Sequence, residues 1–407
     1  MMNRIYIDEN NLSIDRIEHR CINCGMCKKT CESINGFKDA CINCGQCILT
    51  CPTGALIPKY NYRTVMNYLK DTNLHVVVLT SPAVRVAIGD EFGFEPGAFL
   101  EGKMVGALFE MGFDKVFDTT FGADLTVVEE AKELINRLAT KQNLPMFTSC
   151  CPSWVSYVKQ FHPEDLRLLS SCKSPISMQG EMIKSYYANF NEIDANNIIT
   201  VALTPCVSKK TEVAKYKKVD FVITTSELAM MIREFGLDFQ NIKEKEYSKI
   251  LGKGSGAGLI FGSSGGVMEA TLRTAYYFLN EKNPPQNFFK MANIRGNEEF
   301  KEIEVDLGQQ RIKIAVINKM ATVEAYYERL KNYDFIEVMA CPNGCIGGGG
   351  QPLMPSAKMD KIREARMNSL YQDDANNQIQ SSYLNNEIKE AYETFINKGK
   401  VSLHTKH

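Results

Sequence analysis

The sequence predicts an α/β protein of largely parallel sheets flanked by helices, with a small cysteine-rich module in front. Three observations lead there. β-Branched apolar runs alternate with amphipathic helical patterns from residue 75 to residue 340. Eight of the 14 cysteines crowd into residues 21–51. Four of the apolar runs also end in loops rich in Ser, Cys, Pro or Gly, and open α/β sheets build their sites at such strand ends. The 407 residues suggest two or three domains. We expect a cysteine module over 1–70, a main domain over 71–355 and a helical tail over 356–407.

Taken in order, the first 16 residues are charged and lack the apolar stretch of a secretory signal. Next comes a repeat: RCINCGMCKKTC (20–31) is echoed by ACINCGQCILTCP (40–52). Each half is C-x2-C-x2-C-x3-C, the bacterial-type ferredoxin run, whose fourth cysteine ligates the other cluster. One 4Fe–4S cluster is therefore expected on Cys21, Cys24, Cys27 and Cys51. The second is expected on Cys41, Cys44, Cys47 and Cys31. Pro52 closes the second run as the motif requires, whereas Glu32 follows the first. Zinc fits poorly, because it needs C-x2-C pairs set further apart. Disulfides fit poorly too, since dense frameworks belong to short secreted chains.

Residues 56–74 read as a connector with a short helix at TVMNYLKD. Strands are expected at 75–80, 145–149, 198–203, 220–225, 312–318 and 335–340, and helices at 126–140 and 266–280. The strand ends of interest are VVLT-SP at 81–82, MFTS-CCPSW at 150–154, VALT-PC at 205–206 and VMA-CPNGC at 341–345. Three of these loops carry five of the six downstream cysteines, and we expect all four loops to converge on one buried site. A lone buried cysteine is usually just a small apolar residue; five at strand ends are not.

The charge balance, 47 basic against 48 acidic side chains, argues against nucleic acid as a partner. No run of 18 apolar residues occurs, so no membrane span is expected, and the cysteine usage suggests the cytoplasm. The five histidines (19, 75, 162, 404, 407) have no H-x3-H spacing, so a histidine metal site is not expected. GSSGGV (262–267) lacks the Lys and the spacing of a phosphate loop.

TSCCPSW (148–154), TPCVSKKTE (204–212) and EVMACPNGCIGGGGQP (337–352) resemble the three signature segments of FeFe-hydrogenases. SPAVRVAIGDEFG (81–93), FGADLTVVEEAKEL (121–134), IFGSSGGVMEATLRTAY (260–276) and SLHT (402–405) extend the resemblance over nearly the whole chain. It implies a catalytic domain of two largely parallel lobes with the active site in the cleft, beside a ferredoxin-like α+β domain. It also implies an H-cluster: a cubane on Cys151, Cys206, Cys341 and Cys345, with Cys345 bridging to a two-iron subcluster. That subcluster carries carbonyl, cyanide and azadithiolate ligands and is inserted by maturation proteins. The reaction implied is the reversible interconversion of H2 with protons and electrons, with ferredoxin or flavodoxin as the electron carrier.

By the same resemblance, Cys150 is an unligated thiol that passes protons to the azadithiolate, and Glu130, Ser170 and Glu133 lead outward from it, with Arg137 near the surface end. Glu130, Glu133 and Arg137 share one flank of the predicted helix, beside the apolar stripe Ala131, Leu134, Ile135 and Leu138. Lys209 matches the lysine that donates to a cyanide, whereas Lys210 is expected in solvent. Pro82 and its neighbours are expected to offer backbone N–H groups to the other cyanide. Ser81, Thr204, Met339 and Gly348 complete the expected cofactor pocket, and Gly347 to Gly350 let backbone pack against the cluster. Thr204, Ala83 and Ile176 stand where better-known members have Met, Ser and Gln, and bear on tuning rather than on holding the cluster.

Cys172 is left over, either a buried apolar thiol or a redox-sensitive one. Trp154 is expected behind the Cys150–Cys151 loop. Two other functions use related sites, namely a hydrogen sensor and a cytosolic iron–sulfur assembly protein. A NiFe-hydrogenase would need two C-x2-C pairs near opposite ends of a large subunit.

Overall fold

The computed structural model describes residues 3–36, 40–399 and 401–407. Two four-stranded sheets form the main body. The first contains β3 (His75–Thr80), β4 (Lys115–Asp118), β6 (Ile198–Thr204) and β7 (Phe221–Thr224) in the order β4–β3–β6–β7, all parallel. The second contains β5 (Met146–Phe147), β8 (Phe300–Asp306), β9 (Arg311–Asn318) and β10 (Phe335–Met339) in the order β5–β10–β9–β8, with only β8 antiparallel. A short antiparallel pair, β1 (Ile14–Arg16) and β2 (Leu56–Pro58), belongs to the cysteine module.

The first sheet is buried on both faces. Val76, Val78, Leu203 and Ile223 pack into one core cluster, and Val77, Leu79, Ala202 and Val222 into another. Successive side chains point to opposite faces of a strand, so covering both faces demands an unbroken apolar run. This is why HVVVLT reads as it does. In these two sheets two strands escape sequence reading, β8 because only one of its faces is covered and β4 because it is short. β8 lies at an edge, and its FKEIEVD alternates between buried and exposed positions. β4 is four residues long and starts with a lysine.

The expected helix at 126–140 is α1, Thr120–Thr140, six residues longer at its start. Its first turns pack so closely on the loop at 175 that a Cβ on Gly122 would lie 2.2 Å from the Pro175 carbonyl oxygen. The helix expected at 266–280 is α2, Gly266–Asn280. The tail holds α3, Met359–Asn376, and α4, Asn386–Thr394. α3 is inserted rather than draped. Arg273 of α2 pairs with its Asp374 at 2.7 Å and with Glu269 at 2.5 Å, all three side chains being buried. Arg366 reaches the Ile346 carbonyl at 2.8 Å, just after the CPNGC segment.

Candidate metal-cluster site

Because β3, β5, β6 and β10 are parallel within their sheets, their carboxyl ends deliver four loops to one place. A cavity of about 790 Å³ lies there. The β3 end gives it Ser81, Pro82 and Ala83. The β6 end gives Thr204, Pro205 and Cys206. The residues after β5 give Cys150 and Cys151, and those after β10 give Met339, Cys341, Gly344, Cys345 and Gly348. The four expected cubane cysteines and the extra thiol are thus brought together.

The donor set suits a metal cluster. Burial pushes the Cys206 thiol up to about 11, and Cys341 and Cys345 higher still, with the neighbouring cysteines adding to each. Four thiolates cannot share so dry a space unless a cationic core offsets them. Among the described residues Lys209 is the only charged side chain on the wall; its Nζ donates to the Cys150 carbonyl at 3.0 Å and to Glu212. Burial works against its charge, but Glu212 holds its pKa above the ordinary lysine value.

Several expectations need correction. Lys210 is not in solvent: it is buried, pairs with Glu227 at 3.0 Å and donates to the Val222 carbonyl at 2.7 Å. It satisfies the end of β7 from inside. Of the N–H groups around Pro82, proline has none, Ser81 donates to Leu203, and Val84 donates to Ser81. That leaves the Ala83 N–H for a ligand. The glycine run packs mainly against protein. A Cβ on Gly349 would lie 2.5 Å from the Cys44 carbonyl oxygen and one on Gly350 2.6 Å from Thr224, and only Gly348 lines the cavity. Trp154 is fully buried behind the thiol pair, against Phe147 and Tyr157.

The flank of α1 is not a solvated face. Glu130 is 1% exposed, and burial pushes its carboxyl up to about 8, with Glu133 and Glu337 adding to the shift and a Ser170 hydrogen bond opposing it. Its Oε2 has no hydrogen-bond partner among the described residues. The charge of Glu130 is felt at the Cys150 thiol, itself raised first by burial. Ser170 Oγ donates to Glu133 at 3.4 Å. Arg137 was expected near the surface but is buried. It holds Glu133 at 2.5 Å and donates to the carbonyls of Asn143, Leu168 and Leu169 at 2.7–3.0 Å.

Sequence reading missed Phe261, Thr119 and Ala123 on the cavity wall. Thr119 and Ala123 lie at the start of α1, before the residue where its periodicity was picked up. Phe261 precedes the GSSGG turn, where no period singles it out.

In the cysteine module, Cys21, Cys24, Cys27 and Cys51 line one pocket. Cys31, Cys41, Cys44 and Cys47 form the other group: burial raises the Cys47 thiol first, and Cys44, Cys41 and Cys31 raise it further, with Cys27 of the first group adding to them. Both halves of the repeat use the same backbone: Asn23 and Gly25, then Asn43 and Gly45, adopt positive φ. The second half docks on the cavity loop. Gln46 Nε2 donates to the Gly347 carbonyl at 2.7 Å, and Cys341 Sγ lies 4.0 Å from the Cys44 carbonyl oxygen.

Comparison with known proteins bears on this arrangement directly. The family described as iron only hydrogenase large subunit, C-terminal domain, matches residues 74–349. The chain belongs to the iron-only hydrogenase family. Its tail, residues 360–407, matches the iron hydrogenase small subunit, and residues 37–57 match a 4Fe-4S binding domain. This hydrogenase-family chain is 37% identical to iron hydrogenase 1 of Clostridium pasteurianum, over 97% of its own length and 74% of the relative's. It is 30% identical to a cytosolic Fe-S cluster assembly factor of Danio rerio, over 69% of its length and 73% of that protein's. A solved FeFe-hydrogenase from Chlamydomonas reinhardtii superposes with a TM-score of 0.73 at 32% identity, covering 85% of this chain and 98% of the other. Iron–sulfur clusters are the cofactor class these matches support.

Proposed function

We propose that the chain activates hydrogen reversibly, 2 H⁺ + 2 e⁻ ⇌ H2. Cys151, Cys206, Cys341 and Cys345 would hold an H-cluster, and the eight N-terminal cysteines would hold two 4Fe–4S relays. When bound, the H-cluster supplies the redox-active iron and its small ligands. The chain's residues do the rest. Lys209 presents an ammonium to the cavity, Ala83 a backbone N–H, and Cys150 a thiol that no cubane role requires. Glu130, kept protonated near neutrality, can restore a proton to that thiol. Ser170 and Glu133 continue the chain of proton-transfer groups.

The observation that carries this reading is the Cys150 thiol, which stands on the cavity wall beside the four expected cubane cysteines and is electrostatically coupled to the buried Glu130 carboxyl. A protein that only stores or transfers clusters has no need of such an acid. The exposed face of the first cysteine run supports an acidic carrier such as ferredoxin or flavodoxin. Cys24, Ile22 and Met26 are exposed there beside exposed Arg20, Lys28 and Lys29. Among the described residues no helix is long and apolar enough to cross a membrane, and none of the 14 cysteines is bridged. Both suit our placement of the reaction in the cytoplasm, where maturation proteins would act.

The test is methyl viologen-linked hydrogen turnover by protein purified without oxygen and matured with the two-iron subcluster. Full cluster loading without turnover refutes the reading. The resemblance to an assembly factor gives the second reading, iron–sulfur assembly. Infrared bands of metal-bound carbonyl and cyanide in matured protein separate the two.

A further inference from the structure

We propose that His404, working through Ser171, is the solvent-side relay that loads protons onto Glu133. The proposal rests on the hydrogen-activation reading and extends the proton path beyond the residues named above.

Glu133 has few ways to reach water. Its Oε1 is held by Arg137, whose guanidinium does not give up protons and is closed in by three backbone carbonyls. Cys172 Sγ lies 3.7 Å from Oε2, but that thiol is 1% exposed. The remaining contacts of Oε2 are Ser170, which leads inward, and Ser171. Ser171 Oγ donates to Glu133 Oε2 at 2.9 Å and lies 2.8 Å from His404 Nδ1. The His404 side chain is 45% exposed. The row Glu133–Ser171–His404 therefore runs at hydrogen-bond spacing from a half-buried carboxylate, 13% exposed, to the far more exposed imidazole.

The tail is pinned in the register this requires. His404 bridges to Cys172, Thr405 N–H donates to the Ser171 carbonyl at 2.7 Å, and Lys173 N–H to the Leu403 carbonyl at 2.9 Å. The polarity is also right. Ser171 spends its hydroxyl proton on Glu133, so it accepts from Nδ1–H. Nε2 faces Glu129 at 2.8 Å. Both ring nitrogens thus act as donors, which is the imidazolium form. Around the ring stand Glu129, Lys132 and Glu133 of α1, Cys172 and Lys173 of the facing segment, and Tyr392 of α4, whose hydroxyl donates to Glu129. The Glu129 hydrogen bond holds the imidazole above its ordinary pKa, and Glu129 itself is held down to about 2, its partners outweighing burial.

The step balances simply. The Nδ1 proton passes to Ser171 Oγ as the Ser171 hydroxyl proton passes to Glu133. The neutral ring is then recharged at Nδ1 by a hydronium ion or buffer acid from solvent, and Ser171 turns its hydroxyl back toward Glu133. Run backwards, the same hops release a proton.

The test has two arms. In matured enzyme, H404A and S171A should each lower turnover by roughly 10²-fold or more, the scale of a lost proton-transfer group. Imidazole in the buffer should restore H404A but not S171A, and S171T should recover what S171A loses. In histidine-labelled protein with its relay clusters, the His404 ring should titrate above about 6.5, the free-imidazole value, and E129Q should lower it. Turnover of both alanine variants within about twofold of the unsubstituted enzyme overturns the relay, as does a His404 ring that titrates below the free value. If the fully loaded, unsubstituted enzyme turns over no hydrogen, the hydrogen-activation reading fails instead, and the ring titration still reports whether His404 carries the charge claimed for it.

Discussion

Replacing Glu130 with Gln keeps the shape of the side chain and removes its titration. The structure gives the size of what is removed. The folded-state pKa is about 8 against an ordinary 4.5, a rise of 8 − 4.5 = 3.5. At ~1.4 kcal/mol per unit this is on the order of a few kcal/mol to hold the carboxylate ionised in place. The sign follows from the direction of the shift. Below pH ~4.5 the group is neutral folded and unfolded, and the fold loses nothing. As pH rises through about 8, the unfolded chain is already ionised while the folded one resists, so stability falls across that window. E130Q should match the wild type near pH 5 and be the more stable protein near pH 9. Denaturation midpoints of both proteins at the two pH values measure this. A protonated-carboxyl infrared band that fades through pH 8, and is absent from E130Q, measures it directly. Turnover of the variant should drop by roughly 10²-fold or more if the carboxyl passes protons. A stability difference that does not change between pH 5 and 9, or turnover within a few-fold of wild type, would show that Glu130 is neither neutral nor on the path.

Four other substitutions probe separate parts of the molecule. C150A should keep the iron content of the protein and lose turnover, whereas C206A should lose iron; iron loss from C150A would make that thiol a ligand. G349A places a Cβ 2.5 Å from the Cys44 carbonyl oxygen, so it should destabilise by about 1–3 kcal/mol and slow electron delivery from viologen while the clusters stay loaded, as stopped-flow reduction would show. R273M removes the cation between Glu269 and Asp374 and should lower stability by about 3–5 kcal/mol, read from a denaturant midpoint; a neutral result would mean Arg295, which also bonds Glu269, suffices alone.

Much of this architecture is legible in the chain because the constraints are local. A strand covered on both faces must be apolar throughout, so β3, β6, β9 and β10 announce themselves, and cysteines counted from Cys21 to Cys51 state their own partition. The loops after β3, β5, β6 and β10 follow from parallel pairing, which puts their ends on one side. What the chain hides is set by neighbours distant in sequence. Lys210 looks like any surface lysine until Glu227 is folded beneath it. Arg137 looks like half of an exposed i,i+4 pair until the Leu168 and Leu169 carbonyls close over it. The glycines at 347–350 look like a cluster cradle, yet Gly349 is small because the second cysteine run must sit against it. His404 has no metal spacing and draws no notice until the tail is laid beside Ser171.

The two traffics the proposed reaction needs enter through different elements. The second cysteine run meets the cavity loop directly, backbone to backbone at Gly45 and Gly349 and sulfur to carbonyl at Cys341 and Cys44. Electrons arriving by that contact need cross no water. The proton groups come instead from α1, the segment at 170–171 and the tail, and they reach the cavity at Cys150. This separation has a physical consequence. A buried carboxyl poised at about 8 keeps its proton near neutrality, and any further negative charge beside it would hold that proton more tightly and make it harder to release. The cysteine module meets the cavity at the loop that carries Cys341 and Gly349. The charges that act on Glu130 are Glu133 and Glu337, which raise it, and Arg137, which opposes them. Placing a carboxylate next to Glu130 on the proton side, for instance by S170D, should raise Glu130 further and shift the alkaline limb of the turnover profile upward, whereas a new acid on the exposed first run, such as M26E, should leave that limb in place.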